Sequence, residues 1–456
     1  MWREAWLRPV VVFGVVTAAQ LGLVAAAGTD IPFHDQWDVE GRGLYPAVRD
    51  GSVTVADLFR PHNEHRIVWT HLLNLALFRL NGQWDPLVQL AVDALLHAAV
   101  AALLAAVLAC GRSRGAGWLL ALVVMILALP LTGWHNALWG FQSQVYFVML
   151  FSLAAFSLPE SSNPSPARVL GGWLAAGAAM LAMGPGLAVP AVLAAGWFLR
   201  RMEGRAPWRE IWPLALALAL AWGLHHPVPQ HDGLRAGSIP EFFLALGRML
   251  GWPHTGQPWA ALILNTPLAI VAGGRLLKRR SPAVGEGFVV LLAGWTLVLA
   301  LGAAWARGGG AEFRAGVPSR YADFTGLLPA ANAWCAITLL AEAPPRWRAS
   351  VRLVAASWGV FLFAGWLGLS AEAVRGIVLP RSHDRDAPAR LIREFQRDDD
   401  PAVFAGQPRL LVPHPDASSV RVVLRDSRMQ GALPPSLQPD KPLGPLSRAV
   451  RTLLGR

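Results

Sequence analysis

Long apolar runs alternate with short polar connections along most of the 456 residues. The apolar segments fall at about 9–27, 84–110, 116–131, 141–158, 169–183, 186–199, 210–224, 257–275, 286–305, 321–341 and 352–372. An α-helix rises about 1.5 Å per residue, so about 20 such residues cross a hydrocarbon core about 30 Å thick. The pattern predicts an all-α polytopic membrane protein with about eleven transmembrane helices. Two further stretches, 67–80 and 241–250, are amphipathic and read as helices lying in the interface. Gly184-Pro185-Gly186 joins two of the shorter segments, either as a break that lines a cavity or as a plain tight turn.

Composition supports this pattern. The chain is 54% hydrophobic and 15% charged, with a mean hydropathy of +0.39, whereas a soluble protein carries roughly a quarter charged residues. The 44 Gly and 35 Pro are compatible with membrane helices, which tolerate both. A net charge of +11 would suggest nucleic acid in a soluble protein. Here the basic residues sit in short loops, where they orient helices against an anionic leaflet, so no nucleic-acid partner is expected. Lys278 and Lys441 are the only lysines, so the positive charge is almost all arginine. Cys110 and Cys335 lie in or beside apolar runs, which argues against a disulfide framework or a thiolate metal site.

The arginines also give an orientation. With the N terminus cytoplasmic, Arg3 and Arg8, Arg112 and Arg114, Arg168, Arg200, Arg201, Arg205 and Arg209, Lys278 to Arg280, and Arg346 and Arg348 all fall inside. The alternate connections fall outside: 28–66, 132–140, 184–186, 225–256, 306–320 and the tail from 373. Residues 1–372 then form the transmembrane domain, with 28–83 as a large first outer loop carrying interfacial helices. Residues 373–456 form an extracytoplasmic tail, expected to be a small α/β cap or partly disordered. A competing reading of the start is a signal peptide cleaved after Ala25-Ala26-Ala27; it leaves the downstream orientation unchanged.

The scarce carboxylates gather in the first outer loop, as Asp30, Asp35, Asp38, Glu40, Asp50, Asp57 and Glu64. Asp35 and Asp38 are the candidate bases, because partial desolvation beside a membrane helix raises a carboxyl toward a useful pKa. Phe33 and Trp37 should hold Asp35 near the membrane surface. A merely solvated loop is the alternative. His62, Glu64 and His65 are weak candidate ligands for a divalent metal ion, lacking the i, i+4 spacing of a helical zinc site. They could equally cap the interfacial helix that follows. His34 and Arg66 belong to the same polar set, Arg66 being placed to hold an anionic head group. In 134–144, Asn136, Gln142 and Gln144 are expected to face a polar cavity that a sugar would satisfy, while Trp134 and Trp139 suit an aromatic belt. Arg307, Arg320 and Tyr321 flank the last outer loop, where guanidinium groups can clamp a phosphate or snorkel to lipid. Asp93 and His97, at i and i+4 within a span, read as a mutually neutralising pair.

His34-Asp35-Gln36-Trp37-Asp38 after a single membrane helix, followed by many spans and a C-terminal outer domain, resembles the GT-C class of membrane glycosyltransferases. His62–Arg66, Trp139-Gly140-Phe141-Gln142 and Ser319-Arg320-Tyr321 resemble motifs of bacterial membrane proteins with that plan. The resemblance implies transfer of a hexosyl or pentosyl group from a polyprenyl-phosphate donor to a glycan, lipid or protein acceptor, at the outer face of a bacterial inner membrane. It implies Asp35 as the base, with Asp38 as alternate, and Arg320 and Arg307 stabilising the departing lipid phosphate. The chain departs from the family in one respect. Many members have adjacent acidic residues, whereas Gln36-Trp37 separates Asp35 from Asp38, which leaves the base and any metal open. The alternatives are a transporter or flippase of lipid-linked sugars, which would depend on mid-span groups such as Asp93 and His97, and a non-catalytic envelope-assembly protein.

Overall fold

In the computed structural model, residues 2–159, 165–204, 206–277 and 282–456 are described. The basic residues Arg205, Lys278, Arg279 and Arg280 lie outside them, as do the side chains of Arg3 and Arg209. Every described element is helical, and among the described residues no strand forms beyond one isolated bridge between His62 and His65.

Five helical stretches are long and apolar enough to cross a membrane: Trp6–Ala27, Pro86–Leu108, Glu286–Arg307, Ser319–Glu342 and Pro345–His383. The other expected segments are helical but shorter. Arg114–Leu127, Ser143–Ser157 and Ile211–Leu224 are apolar helices of 14, 15 and 14 residues. Pro166–Met180 and Val189–Met202 flank the 3-10 turn Gly184–Ala188. The 257–275 segment is divided into Ala260–Leu264 and Thr266–Leu276, with a proline at the start of the second piece. The amphipathic stretches form helices Val68–Asn81 and Ile239–Leu250.

Local chemistry sets several of these boundaries. Asp85 caps Pro86–Leu108 by accepting from Leu87 N at 3.0 Å, and Pro86 at the first helical position has no N–H to leave unsatisfied. Serines 113, 165 and 238 cap their helices in the same way. Ile67, by contrast, precedes Val68–Asn81 without a side-chain cap, so the His62–His65 turn does not cap that helix.

The main apolar core draws on most of the long helices, among them Val16, Leu104, Phe156, Trp295 and Trp334. A second core joins the first polar loop to the tail: Trp37, Tyr45, Phe78 and Trp84 pack with Ile392, Phe395, Val420 and Met429. This corrects two expectations for residues 373–456. The last long helix runs through position 373 as far as His383. Beyond it the tail is folded and helical rather than α/β, with helices Ala387–Asp398, Ala417–Arg425 and Pro445–Leu453. Its amphipathic helices reach stability by sharing one apolar core with the loop, which neither segment could fill alone.

Alternate connections meet at one end of the bundle. His65 reaches the 184–186 turn, Glu64 reaches His231 and Arg307, and His135 meets Ser319. At the other end, Arg112 donates to Val284 O and lies 3.9 Å from the Trp334 ring centroid, while Arg275 pairs with Glu203.

Candidate functional site

The site begins where Trp2–Ala27 ends. Arg456 donates to the carbonyls of Val24, Ala25 and Gly28, satisfying the open C-terminal end of that helix. The chain then turns at His34, whose φ of 48° is left-handed and unusual for a non-glycine. His34 N donates to Pro413 O at 2.7 Å and Trp37 Nε1 to Pro32 O at 2.8 Å, so the tail and the loop together hold the turn. Asp35 projects from it. From Trp37 to Leu44 the helix is a wide π-type coil that turns Glu40 inward and leaves Asp38 half-exposed.

Asp35 Oδ2 lies 3.2 Å from His62 Nε2. Burial pushes its carboxyl up, but the hydrogen bond and charge of His62, with His34 nearby, hold it below the ordinary range. The desolvated, raised-pKa base expected from sequence is therefore corrected to an ionised carboxylate gripped by imidazole. Asp38 is held down at about 2, first by the hydrogen bond from His414 at 2.9 Å and against its partial burial. Burial lowers His34 to about 4, leaving it a neutral ring at neutral pH.

Aromatic rings stand beside these carboxylates. His135 stacks between Trp134 and Trp139, at centroid distances of 5.2 and 5.3 Å. Trp139 meets Phe33 edge-on at 5.8 Å and donates Nε1 to Phe33 O. His62 packs edge-on against Phe141. Burial holds His135 down at about 3, and its Nε2 is buried without a hydrogen-bond partner.

The expected phosphate-clamping arginines are occupied. Arg307 Nη2 lies 2.5 Å from Glu64 Oε1, and His231 Nδ1 lies 2.6 Å from the same oxygen. Burial raises the Glu64 carboxyl, but His231 and Arg307 together carry it below its ordinary value. Arg320 pairs with Glu312 at 2.5 Å and lies over the Tyr321 ring, and Arg409 from the tail pairs with the same Glu312. Tyr321 packs edge-on against Phe313. Arg66 donates to Phe59 O at 2.7 Å and so braces its own loop.

Arg381 differs from these. It lines a small cleft, with Thr29, Ile31, Phe33, Gln36, Leu410 and Pro413 among the other walls, and among the described residues no carboxylate pairs with its guanidinium. The cleft shares Phe33 and Gln36 with the segment that carries Asp35.

The other candidate residues are dispersed by the fold. His62, Glu64 and His65 do not converge: the tight turn with Asn63 at φ 49° sends His62 to Asp35, Glu64 to Arg307 and His65 to Gly184 N. Among the described residues no three His, Cys, Asp or Glu side chains are grouped to hold a metal ion. Asn136 does not face an open cavity: its Nδ2 donates to Asp323 Oδ2 at 2.7 Å and to Arg320 O at 3.0 Å. Gln142 and Gln144 are buried, and Gln144 Oε1 lacks a partner.

Glu40 organises the loop from beneath. It is 1% exposed and accepts from Asn74 at 2.5 Å, Trp84 at 2.9 Å, Gln89 at 3.0 Å and Gln36 at 3.4 Å. Burial raises it to about 7 despite those donors. Gln36 also donates to Gln89 at 2.7 Å, which links this buried knot to the residue after Asp35.

Neither a protein-family model nor a curated relative matches this chain.

Sequence reasoning missed Arg381, His231, Glu312, Arg409, His414 and the anchoring role of Glu40. His231 and His414 lie 167 and 376 residues from the Glu64 and Asp38 they meet, and no spacing announces any of the first five. Glu40 carried one signal: it is acidic within Trp37-Asp38-Val39-Glu40, where the two flanking apolar residues mark a coil pressed against a core.

Proposed function

We propose that the chain is a multi-pass membrane glycosyltransferase of GT-C type, moving a sugar from a polyprenyl-phosphate donor to an acceptor at the extracytoplasmic face, with Asp35 as general base. One observation carries this reading: an ionised, half-buried carboxylate stands beside a shelf of stacked aromatic rings and next to a small cleft lined by Arg381, which pairs with no carboxylate among the described residues. Each part suits one piece of the reaction. The outer ring of the stack, Trp134, can accept the apolar face of a sugar, since His135 and Trp139 already carry rings on both faces. Asp35 takes the proton of the attacking acceptor hydroxyl, and His62 keeps the carboxylate oriented and ionised until it does. Arg381 offers the departing lipid phosphate a bidentate partner that Arg307 and Arg320, already paired, offer less readily. Asp38, tied to His414 and Arg42, is the weaker candidate for the base.

The topology proposed with this function has about eleven crossings, counting shorter helices that lie within the bundle. The N terminus is cytoplasmic and the tail extracytoplasmic, in a bacterial inner membrane. The meeting of the alternate connections at one end supports that arrangement, and so does the gathering of Arg112 and Arg275 at the other.

The test uses the full-length protein in proteoliposomes with a panel of polyprenyl-phosphate sugars and measures glycan product. Asp35→Asn should reduce turnover by about 100-fold or more, the usual contribution of a positioned base, without loss of folded protein. Undiminished product formation in that variant would exclude Asp35 as the base.

A further inference from the structure

Helix Pro86–Leu108 carries one polar stripe through an otherwise apolar span: Gln89, Asp93 and His97 follow one another at four-residue intervals, so they share a face. All three are buried, Asp93 to 1% exposure. Sequence spacing suggests that Asp93 and His97 neutralise each other. The structure separates them. His97 Nδ1 lies 2.6 Å from Gln20 Oε1, its ring stacks on Tyr146, and its Nε2 faces Asp323 Oδ1 at 3.8 Å. Both oxygens of Asp93 are left buried without any hydrogen-bond partner.

A carboxylate in that position costs several kcal/mol unless a cation, a donor or a proton neutralises it. Among the described residues no arginine, lysine or histidine forms an ion pair with it. The groups around it are acidic or neutral. Glu40 lies toward one end of the stripe, behind Gln89, and Asp323 and Tyr146 lie toward the other, with His97 between. Gln20 of Trp2–Ala27, which meets His97, is uncharged, and its Nε2 is itself buried without a partner. At the capped start of the helix, Asp85 and Asp30 are already held by Arg451.

We propose that Asp93 is a proton-binding site inside the helical bundle, an acid that takes up and releases one proton, distinct from the Asp35 site. Release breaks the carboxyl O–H bond and delivers the proton to water, with no electron or co-reactant involved. The resulting negative charge stands one helical turn from Gln89, which is hydrogen-bonded to both Glu40 and Gln36. The proton state of the bundle interior is thereby connected to the base of the loop that carries Asp35. The proposal does not rest on glycosyl transfer.

The test is covalent labelling of the full-length protein in lipid vesicles with dicyclohexylcarbodiimide, which adds across a protonated carboxyl and leaves a stable acylurea, read by peptide mass mapping. Labelling of the Asp93 peptide is expected at acid pH, falling about tenfold for each pH unit above its midpoint as a one-proton group requires. It should vanish in Asp93→Asn, which keeps the shape of the neutral acid. As a second measurement, the infrared band of protonated carboxyls at acid pH should be weaker in Asp93→Asn than in the wild type by the contribution of one carboxyl, Glu40 and the other acids being common to both. Absence of label, with a band of equal strength in wild type and Asp93→Asn, overturns the proposal. A label or band that persists undiminished at alkaline pH overturns it too, since the proton would not exchange. Protection by sodium at constant pH would make the ligand an alkali cation and likewise refute it. None of these readouts depends on glycan product, so failure here and failure of the Asp35 assay are distinguishable.

Discussion

Replacing Glu40 by glutamine should remove one segment of the protein's pH-dependent stability. In the fold this carboxyl titrates at about 7, against an ordinary value of 4.5, because burial disfavours its charge more than four donors favour it. Between those two values the folded protein holds a proton that the unfolded chain has lost. Stability from this group is therefore full below 4.5, falls as pH rises from 4.5 to about 7, and is flat above. Two and a half pH units at about 1.4 kcal/mol each amount to about 3 kcal/mol. Glutamine cannot ionise. Its carbonyl can still accept from Trp84, and Asn74, whose Oδ1 is unpartnered, can turn to accept from its amide. Glu40→Ala differs, because it leaves the Trp84 indole N–H buried and unpaired at a cost of about 1–3 kcal/mol. Equilibrium unfolding in mixed micelles at pH 5 and pH 7.5 would measure both. The wild type should lose most of that 3 kcal/mol between the two conditions, and Glu40→Gln should not. An equal pH response in wild type and Glu40→Gln would refute the reasoning, since the titrating group would then lie elsewhere.

The remaining predictions concern the contacts around Asp35. A Cβ at Gly184 would stand 2.5 Å from His65 Nδ1, so Gly184→Ala should lower unfolding stability by about 1–3 kcal/mol; an unchanged midpoint would show that this contact yields freely. Arg381→Gln should weaken polyprenyl-phosphate donor binding by about 10- to 100-fold, the worth of charged hydrogen bonds to phosphate, with Arg381→Lys recovering part of the loss. Equal donor affinity in all three proteins would remove Arg381 from the site. The His414 ring is raised above its ordinary 6.5, burial notwithstanding, by Asp38 and Asp416. Its contribution is present below 6.5 and is lost as pH climbs through the higher folded value. Limited proteolysis of the 408–416 segment should therefore accelerate with rising pH above 6.5 in the wild type but not in His414→Gln.

The division of labour between sequence and structure is clearest in the first loop. Apolar periodicity alone determined that the chain is helical throughout its core and that several helices are apolar enough to cross a membrane, because a run of apolar residues has to be buried or lipid-facing whatever its partners are. The same periodicity located Val68–Asn81 and Ile239–Leu250. It could not say how many runs become full-length helices, since Gly-Pro-Gly at 184–186 and Pro267 shorten their neighbours only through local backbone geometry. Residues Asp35, His62, Glu64, Arg307 and Arg320 stood out in sequence because charge is scarce in this chain. Which of them pair was decided by tertiary packing: a single tight turn at Asn63 sends His62 one way and Glu64 another. The tail supplied His414, Arg409 and the cleft wall at Leu410 from more than 370 residues beyond Asp35. Their placement follows from the apolar core shared by Trp37 and Val420, and hydrophobic burial has no direction that a sequence can display. Arg381 marks the limit of sequence reading. An arginine looks the same in sequence whether or not it is paired, and the fold brings Glu64 and Glu312 to Arg307 and Arg320 but, among the described residues, no carboxylate to Arg381.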